Sequence, residues 1–284
     1  MTVRDTRTEA WPGTYDEPQP RMGFFTDTTV CIGCKACEVA CKEWNMVPED
    51  GLVWSGESYD NTGRLDANTW RHVAFIEQSR PVEADAGDEL RWLMSSDVCK
   101  HCTESACLNV CPTGAIFRTE LGTVVVQDDV CNGCGYCVPA CPFGVLDRRE
   151  IPDQMTGKPD GRVWKCTLCY DRTRDGSTPA CAQACPTESI QYGRLDELRE
   201  RARERLGTVV EDGYEGARLY GESDEDGVGG FGAFFLLLDE PEVYGLPPAP
   251  RDATRDLPQM WRTALSAGLA LAAGVALACA GRRA

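Results

Sequence analysis

Four groups of four cysteines hold most of the chemistry this chain of 284 residues could perform. The plainest is CNGCGYCVPACP, in which Cys131, Cys134, Cys137 and Cys141 are spaced Cys-x2-Cys-x2-Cys-x3-Cys and followed by Pro142. Three thiolates on one tight loop can hold three iron corners of a single [4Fe–4S] cube. The fourth thiol, carried away by the proline turn, ligates a neighbouring cube. Gly133 and Gly135 let the loop bend sharply and approach the inorganic sulfides without a Cβ in the way. Cys31, Cys34, Cys37 and Cys41 repeat this spacing in CIGCKACEVAC. Cys99, Cys102, Cys107 and Cys111 carry two extra residues before the third thiol. Cys166, Cys169, Cys181 and Cys185 carry a long excursion there. Four runs of four use all but one of the 17 cysteines, and four thiolates per cube give four [4Fe–4S] clusters.

Other thiol chemistries fit less well. A disulfide framework belongs to a short secreted chain and does not require four-membered groups of near-constant spacing. Structural zinc wants two Cys pairs well separated in sequence. Only the fourth run resembles that, and its Cys-x3-Cys-Pro ending groups it with the others. Cys279 has no partner at ligand spacing and reads as a small apolar residue. His72 and His101 receive no role, and no catalytic constellation stands beside the cysteines. The fragment GVGGFG lacks the strand–turn–helix context of a nucleotide loop. The chain is therefore expected to carry electrons and to leave substrate chemistry to a partner.

The length allows one to three domains, and an apolar fraction of 42% supports a packed core. A formal charge of −16 argues against a nucleic-acid partner. Residues 1–24 read as an extended arm with no signal-peptide pattern, and Phe24 and Phe25 lead into the first loop. After Cys41, Trp44 and Met46 are expected to cover a cluster face. The stretch 42–98 reads as an insertion. Within it Thr69–Gln78 forms a strand with Trp70, His72, Ala74 and Ile76 on one face, and Glu89–Met94 a second short strand. Gly114–Asp129 is a hairpin turning at Glu120–Gly122. Cys-Pro followed by a short apolar strand recurs in CPTGAI, CPFGVL and CPTESI, the mark of duplicated halves.

Residues 147–163 read as a loop. Asp196–Leu206 reads as a helix stopped by Gly207, with Leu195, Leu198, Ala202 and Leu206 at helical spacing. The run Phe231–Leu238 is too short to cross a bilayer and reads as a strand or docking segment. Thr263–Gly281 is free of charge over a length of roughly 28 Å, about one hydrocarbon core. Trp261 and Arg262 mark one interface, and Arg282 and Arg283 the other. The segment's many Ala and Gly residues suit packing against other membrane helices.

The four runs in this order resemble the iron–sulfur subunits of the molybdopterin oxidoreductase superfamily, and most closely the beta subunit of membrane-bound formate dehydrogenase. The carriers are CIGCKACEVACKEWN (Cys31 to Asn45), CGYCVPACPF (Cys134 to Phe143), RVWKCTLCYDR (Arg162 to Arg172) and PACAQACPT (Pro179 to Thr187). GVGG before an apolar run (Gly227 to Gly230) and YGLPPAP before a C-terminal helix (Tyr244 to Pro250) narrow the likeness to formate. The resemblance implies an α+β fold of two bacterial-ferredoxin-like 2[4Fe–4S] modules with insertions, plus a C-terminal transmembrane helix. After the arm (1–24), residues 25–98 form the first half of module A with its insertion. Residues 99–162 form module B, and 163–207 the second half of module A with a helix. An extended linker or docking segment (208–261) leads to the membrane helix (262–281).

It also implies crossed ligand sets. Cluster one takes Cys31, Cys34, Cys37 and Cys185, and cluster two takes Cys99, Cys102, Cys107 and Cys141. Cluster three takes Cys131, Cys134, Cys137 and Cys111, and cluster four takes Cys166, Cys169, Cys181 and Cys41. The implied partners are a molybdopterin-containing catalytic subunit holding molybdenum or tungsten and a quinone-reducing membrane subunit of cytochrome b or similar type. The implied location is the cell membrane, single-pass, with the cluster domain on the extracytoplasmic face. Two readings compete: the same role beside a hydrogenase, polysulfide reductase or dimethyl sulfoxide reductase, and a free-standing polyferredoxin. The C-terminal span argues against the second, since a diffusing carrier needs no anchor.

Overall fold

The computed structural model describes residues 19–49, 54, 56, 59–81, 88–150, 160–225 and 227–281. Most of the arm, parts of the 42–98 insertion, the middle of the 147–163 loop, and Arg282 and Arg283 lie outside the described residues. Strand β1 (Met22–Asp27) delivers the chain into the first cysteine loop, and helix α1 (Ala36–Trp44) carries Cys37 and Cys41. A long hairpin follows, β2 (Arg71–Pro81) with β3 (Asp88–Val98), paired from Arg71↔Val98 to Pro81↔Asp88. The second run continues into α2 (Ala106–Asn109) and the hairpin β4 (Ile116–Arg118) with β5 (Val124–Val126), whose turn falls where the sequence places it. The third run passes through α3 (Cys137–Ala140) to β6 (Asp147–Arg148), which pairs with β7 (Val163–Trp164). The fourth run holds α4 (Tyr170–Arg174) and α5 (Ala180–Gln183), then enters β8 (Ile190–Arg194).

The short helices pair across the chain. α1 packs on α5, joining the first and fourth runs, and α2 packs on α3, joining the second and third. The outer runs also share a sheet, because β1 pairs antiparallel with β8. After β8 come α6 (Leu195–Glu211), β9 (Arg218–Tyr220), β10 (Ala233–Leu237) and the terminal helix α7 (Leu257–Gly281).

Four expectations change here. The second strand of the insertion spans Asp88–Val98 rather than Glu89–Met94, because it is zipped along its whole length to β2. The single buried face expected for β2 is not seen at its base. Arg71 and Val73 are as buried as Trp70 and His72, since both sides are covered there. The Val73 N–H donates to the carboxylate of Glu38 on α1, while His72 faces Asp60. Gly207 does not stop α6, which runs on to Glu211. The buried stripe of Leu195, Leu198 and Ala202 continues to Val209, and that packing outweighs the roughly 1 kcal/mol a glycine costs inside a helix.

The fourth concerns 208–261, expected as an extended linker or docking segment, where the strand reading of Phe231–Leu238 is the one the structure shows, as β10. The sheet order is β8-β1-β10-β9, with β10 parallel to β1. Every residue of β10 is buried, which is why its sequence AFFLL is apolar without alternation. Phe25 and Phe234 stack across the strand pair with ring centroids 5.3 Å apart. α7 stands apart, with exposed side chains along its described length. It is the one helix among the described residues long and apolar enough to cross a membrane.

Candidate metal centres

All four loops share one backbone device. The residue before the second cysteine has a left-handed φ in each: Gly33 at 66°, His101 at 45°, Gly133 at 70° and Leu168 at 57°. That turn swings backbone N–H groups inward. The Leu168 N–H lies 3.3 Å from Cys166 Sγ. Two of the four positions are not glycine, so the turn costs strain that the surrounding packing holds in place. His101 is buried, and its Nδ1 accepts from the Val124 N–H at 3.2 Å, which ties the second loop to β5. At Gly133 the reason for glycine is more specific than loop bending. A Cβ there would sit 2.3 Å from the Gly161 carbonyl oxygen.

The loops bring the thiols together in crossed groups. One cavity is lined by Cys99, Cys102, Cys107 and Cys141. Another is lined by Cys111, Cys131, Cys134 and Cys137. Cys41 interacts with Cys166, Cys181 and Cys169, and Cys31 with Cys37 and Cys185. Cys34 is exposed on the same loop as Cys31. In each group the fourth thiol of one run lies among the first three of another. The groups also follow one another in a row. Cys37 lies within electrostatic reach of Cys181, Cys166 of Cys99, and Cys107 of Cys137.

Such sites suit a cofactor that keeps thiolates ionised. Burial pushes the Cys107 and Cys166 thiols up to about 12, and the neighbouring thiols add to it. Burial likewise lifts Cys137 to about 11. A coordinated metal deprotonates such thiols outright. Counter-charge is already buried beside them. Lys100 and Lys165 are almost fully buried. Lys165 Nζ donates to the carbonyls of Val124 and Cys166, and Lys100 Nζ to the Val98 carbonyl and the Asp97 carboxylate. Buried cations beside groups of four thiols fit an anionic iron–sulfur cube, which supplies one-electron transfer when bound.

Several of these residues escape a reading by cysteine spacing. Asn45 Nδ2 lies 3.7 Å from Cys41 Sγ and 3.8 Å from Cys169 Sγ, so it bridges two thiols of one group. Trp44 and Met46, expected to cover a cluster, do not. Met46 is 85% exposed, and Trp44 ties α1 to α4 through Asp171 and a stack under Arg172. Asn45 sits between them on the inward side of the helix end. Thr113 and Thr187 hydroxyls lie 3.7 and 3.8 Å from Cys111 and Cys185. The repeated Cys-Pro-Thr in the sequence is the signal that could have found both. GVGG is a strap over the second loop. Val228 and Gly230 carbonyls accept from the Glu104 and Thr103 N–H groups, and Val228 lines the cavity of Cys99 and Cys102.

Comparison with known proteins agrees with this geometry. The 4Fe-4S dicluster domain family matches residues 30–115 and again residues 90–195. The formate dehydrogenase iron–sulfur subunit of Haemophilus influenzae is 42% identical over 93% of this chain and 82% of its own length. The chain belongs to the family of formate dehydrogenase iron–sulfur subunits. The nitrate-inducible formate dehydrogenase iron–sulfur subunit of Escherichia coli is 39% identical over 89% of this chain and 81% of its own length. A subunit of the anaerobic dimethyl sulfoxide reductase of Escherichia coli is 36% identical over 64% of this chain and 77% of its own length. Likeness to the formate dehydrogenase subunits thus extends over more of the chain than likeness to the dimethyl sulfoxide reductase subunit. As a member of this family the chain is an electron-transfer subunit that binds [4Fe–4S] clusters, with substrate chemistry lying elsewhere.

Proposed function

We propose that this subunit holds four [4Fe–4S] clusters in a row and passes electrons from a formate-oxidising molybdenum or tungsten pterin subunit to a quinone-reducing membrane subunit. The observation that carries the reading is the crossed grouping of the thiols, seen in the cavities lined by Cys99, Cys102, Cys107 and Cys141 and by Cys111, Cys131, Cys134 and Cys137, with Cys37 within electrostatic reach of Cys181, Cys166 of Cys99 and Cys107 of Cys137. It orders the groups one, four, two, three. The ligand sets are Cys31, Cys34, Cys37 and Cys185; Cys166, Cys169, Cys181 and Cys41; Cys99, Cys102, Cys107 and Cys141; and Cys131, Cys134, Cys137 and Cys111. Both ends of the row reach the surface, since Cys34 and Cys134 are exposed. Electrons can therefore enter at one end and leave at the other, while the two middle groups stay covered.

Protein purified without oxygen should hold about sixteen irons per chain, four per thiol set, and no stoichiometric zinc. A preparation reconstituted with iron and sulfide that stops at half that iron would overturn the four-cluster assignment. The subunits that co-purify in mild detergent test the partners, and a dimethyl sulfoxide reductase catalytic subunit in place of a formate-oxidising one would reassign the substrate.

The helix α7 anchors the subunit beside its membrane partner, with the cluster domain on the extracytoplasmic face as the family likeness implies. No thiol of the four sets lies beyond Cys185, so removal of residues 257–284 should release a brown, water-soluble protein with unchanged iron content. A truncated protein that remains in the membrane would show that its partners hold it without the helix. Protease access to a C-terminal tag from either side tests the orientation.

A further inference from the structure

One buried cation has no structural role that its hydrogen bonds account for. Arg71, at the base of the β2–β3 hairpin, is 2% exposed. Its Nη1 donates to the Ser96 carbonyl at 3.2 Å and lies 3.1 Å from the Ser96 hydroxyl. Its Nε and Nη2 are buried with no well-formed hydrogen bond. Cys181 lies within hydrogen-bond reach of the guanidinium, and Cys37, Cys166 and Cys41 lie within its electrostatic reach. These come from both sets of the outer pair, first and fourth. The Phe24 ring lies 4.9 Å from its Cζ and fixes its plane. Ser96 Oγ is also 3.3 Å from Cys37 Sγ, which joins the guanidinium to that thiol by one hydroxyl. An arginine keeps its charge even when buried.

An unpaired buried cation is strongly unfavourable. Its remaining N–H groups need an anion, and the thiolates of two clusters are the anions at hand. A cluster gains negative charge on reduction. A fixed positive charge and N–H groups aimed at its sulfurs stabilise the reduced form and raise the potential. We propose that Arg71 is a positioning charge standing between the first and fourth clusters, raising the reduction potentials of both and favouring the electron on this pair. This rests on the four-cluster reading above.

The test is a redox titration of the loaded protein, followed by electron paramagnetic resonance, for wild type, Arg71→Met and Arg71→Lys. In Arg71→Met two cluster signals should shift to more negative potential, while the two of the inner sets stay in place. Arg71→Lys should restore most of the shift, because it keeps the charge without the fork. The two shifted signals should be those altered by Cys31→Ser and Cys166→Ser. Four signals with unmoved midpoints, or Met and Lys variants that titrate alike, would overturn the proposal while leaving the four clusters standing. Fewer than four signals in the wild type would instead overturn the cluster reading itself. If Arg71→Met fails to load iron, a loaded Arg71→Lys that titrates like wild type favours the charge. Failure of both variants to load counts against it, because shape and hydrogen bonding to Ser96 would then be what the site requires.

Discussion

Cys185→Ser is expected to alter the cluster held by Cys31, Cys34 and Cys37, about 150 residues upstream, and to leave the cluster of its own run intact. The reason is geometric. Three thiols on one loop leave an iron corner open, and the fourth thiol of the same run lies in another group. Cys31 interacts with Cys185, whereas Cys41 lies with Cys166, Cys169 and Cys181. Serine offers a harder oxygen of similar size, so the protein should fold while one cluster shifts its potential or loses an iron. Cys41→Ser should do the reciprocal damage to the cluster of Cys166 and Cys169. Electron paramagnetic resonance of the two variants should show two different signals altered. If Cys185→Ser perturbs the signal that Cys166→Ser perturbs, the fourth run closes on its own cube and the crossed arrangement is wrong.

The second large effect is on stability. Phe234→Ala should destabilise the protein by about 3–5 kcal/mol, the usual cost of emptying a phenylalanine site in a core. Phe234, the second residue of β10, is fully buried and stacks on Phe25 of β1. That strand pair supports the outer cluster pair, since β1 runs into the first loop and β8, its other neighbour, leaves the fourth. Heating should therefore bleach the visible absorbance at a lower temperature in the variant, with the signals of the outer clusters lost before the inner ones. A bleaching midpoint within a degree or so of wild type would mean that β10 does not support the cluster domain.

The cysteine spacings made the four thiol loops legible in advance, and the β-rich pieces around Glu120–Gly122 did the same for the hairpin at 114–129. Local rules suffice for these, because each loop needs only its own run of residues. The same is true of the charge-free terminal helix. What stayed hidden depends on residues distant in sequence. The apolar run Phe231–Leu238 reads as strand or docking segment alike until its neighbour is known, and that neighbour, β1, lies some 200 residues earlier. Gly207 reads as a stop because a helix end is judged locally, while Val209 finds its cover in the distant sheet. Trp44 and Met46 drew attention as bulky residues, yet the contact to sulfur belongs to the smaller Asn45, which no hydrophobic pattern selects. Arg71 is invisible for a related reason. On paper it is one polar residue in an alternating strand, and only the fold brings it to four thiols.

The parallel pairing of β1 with β10 has a consequence for how the protein is made. During synthesis the inner thiol sets, Cys99 to Cys141, are complete once a single continuous stretch has left the ribosome. The outer sets await Cys185, and their supporting sheet awaits Leu237. Closing so long a loop is slow, because its entropy is lost before any contact is gained. On the proposed ligand sets the inner pair can therefore be complete before the outer pair. Until translation reaches β10, Phe25 lacks Phe234, the ring it stacks on. An unpaired strand edge is a template for aggregation, so β1 depends on the late arrival of β8 and β10 for its protection.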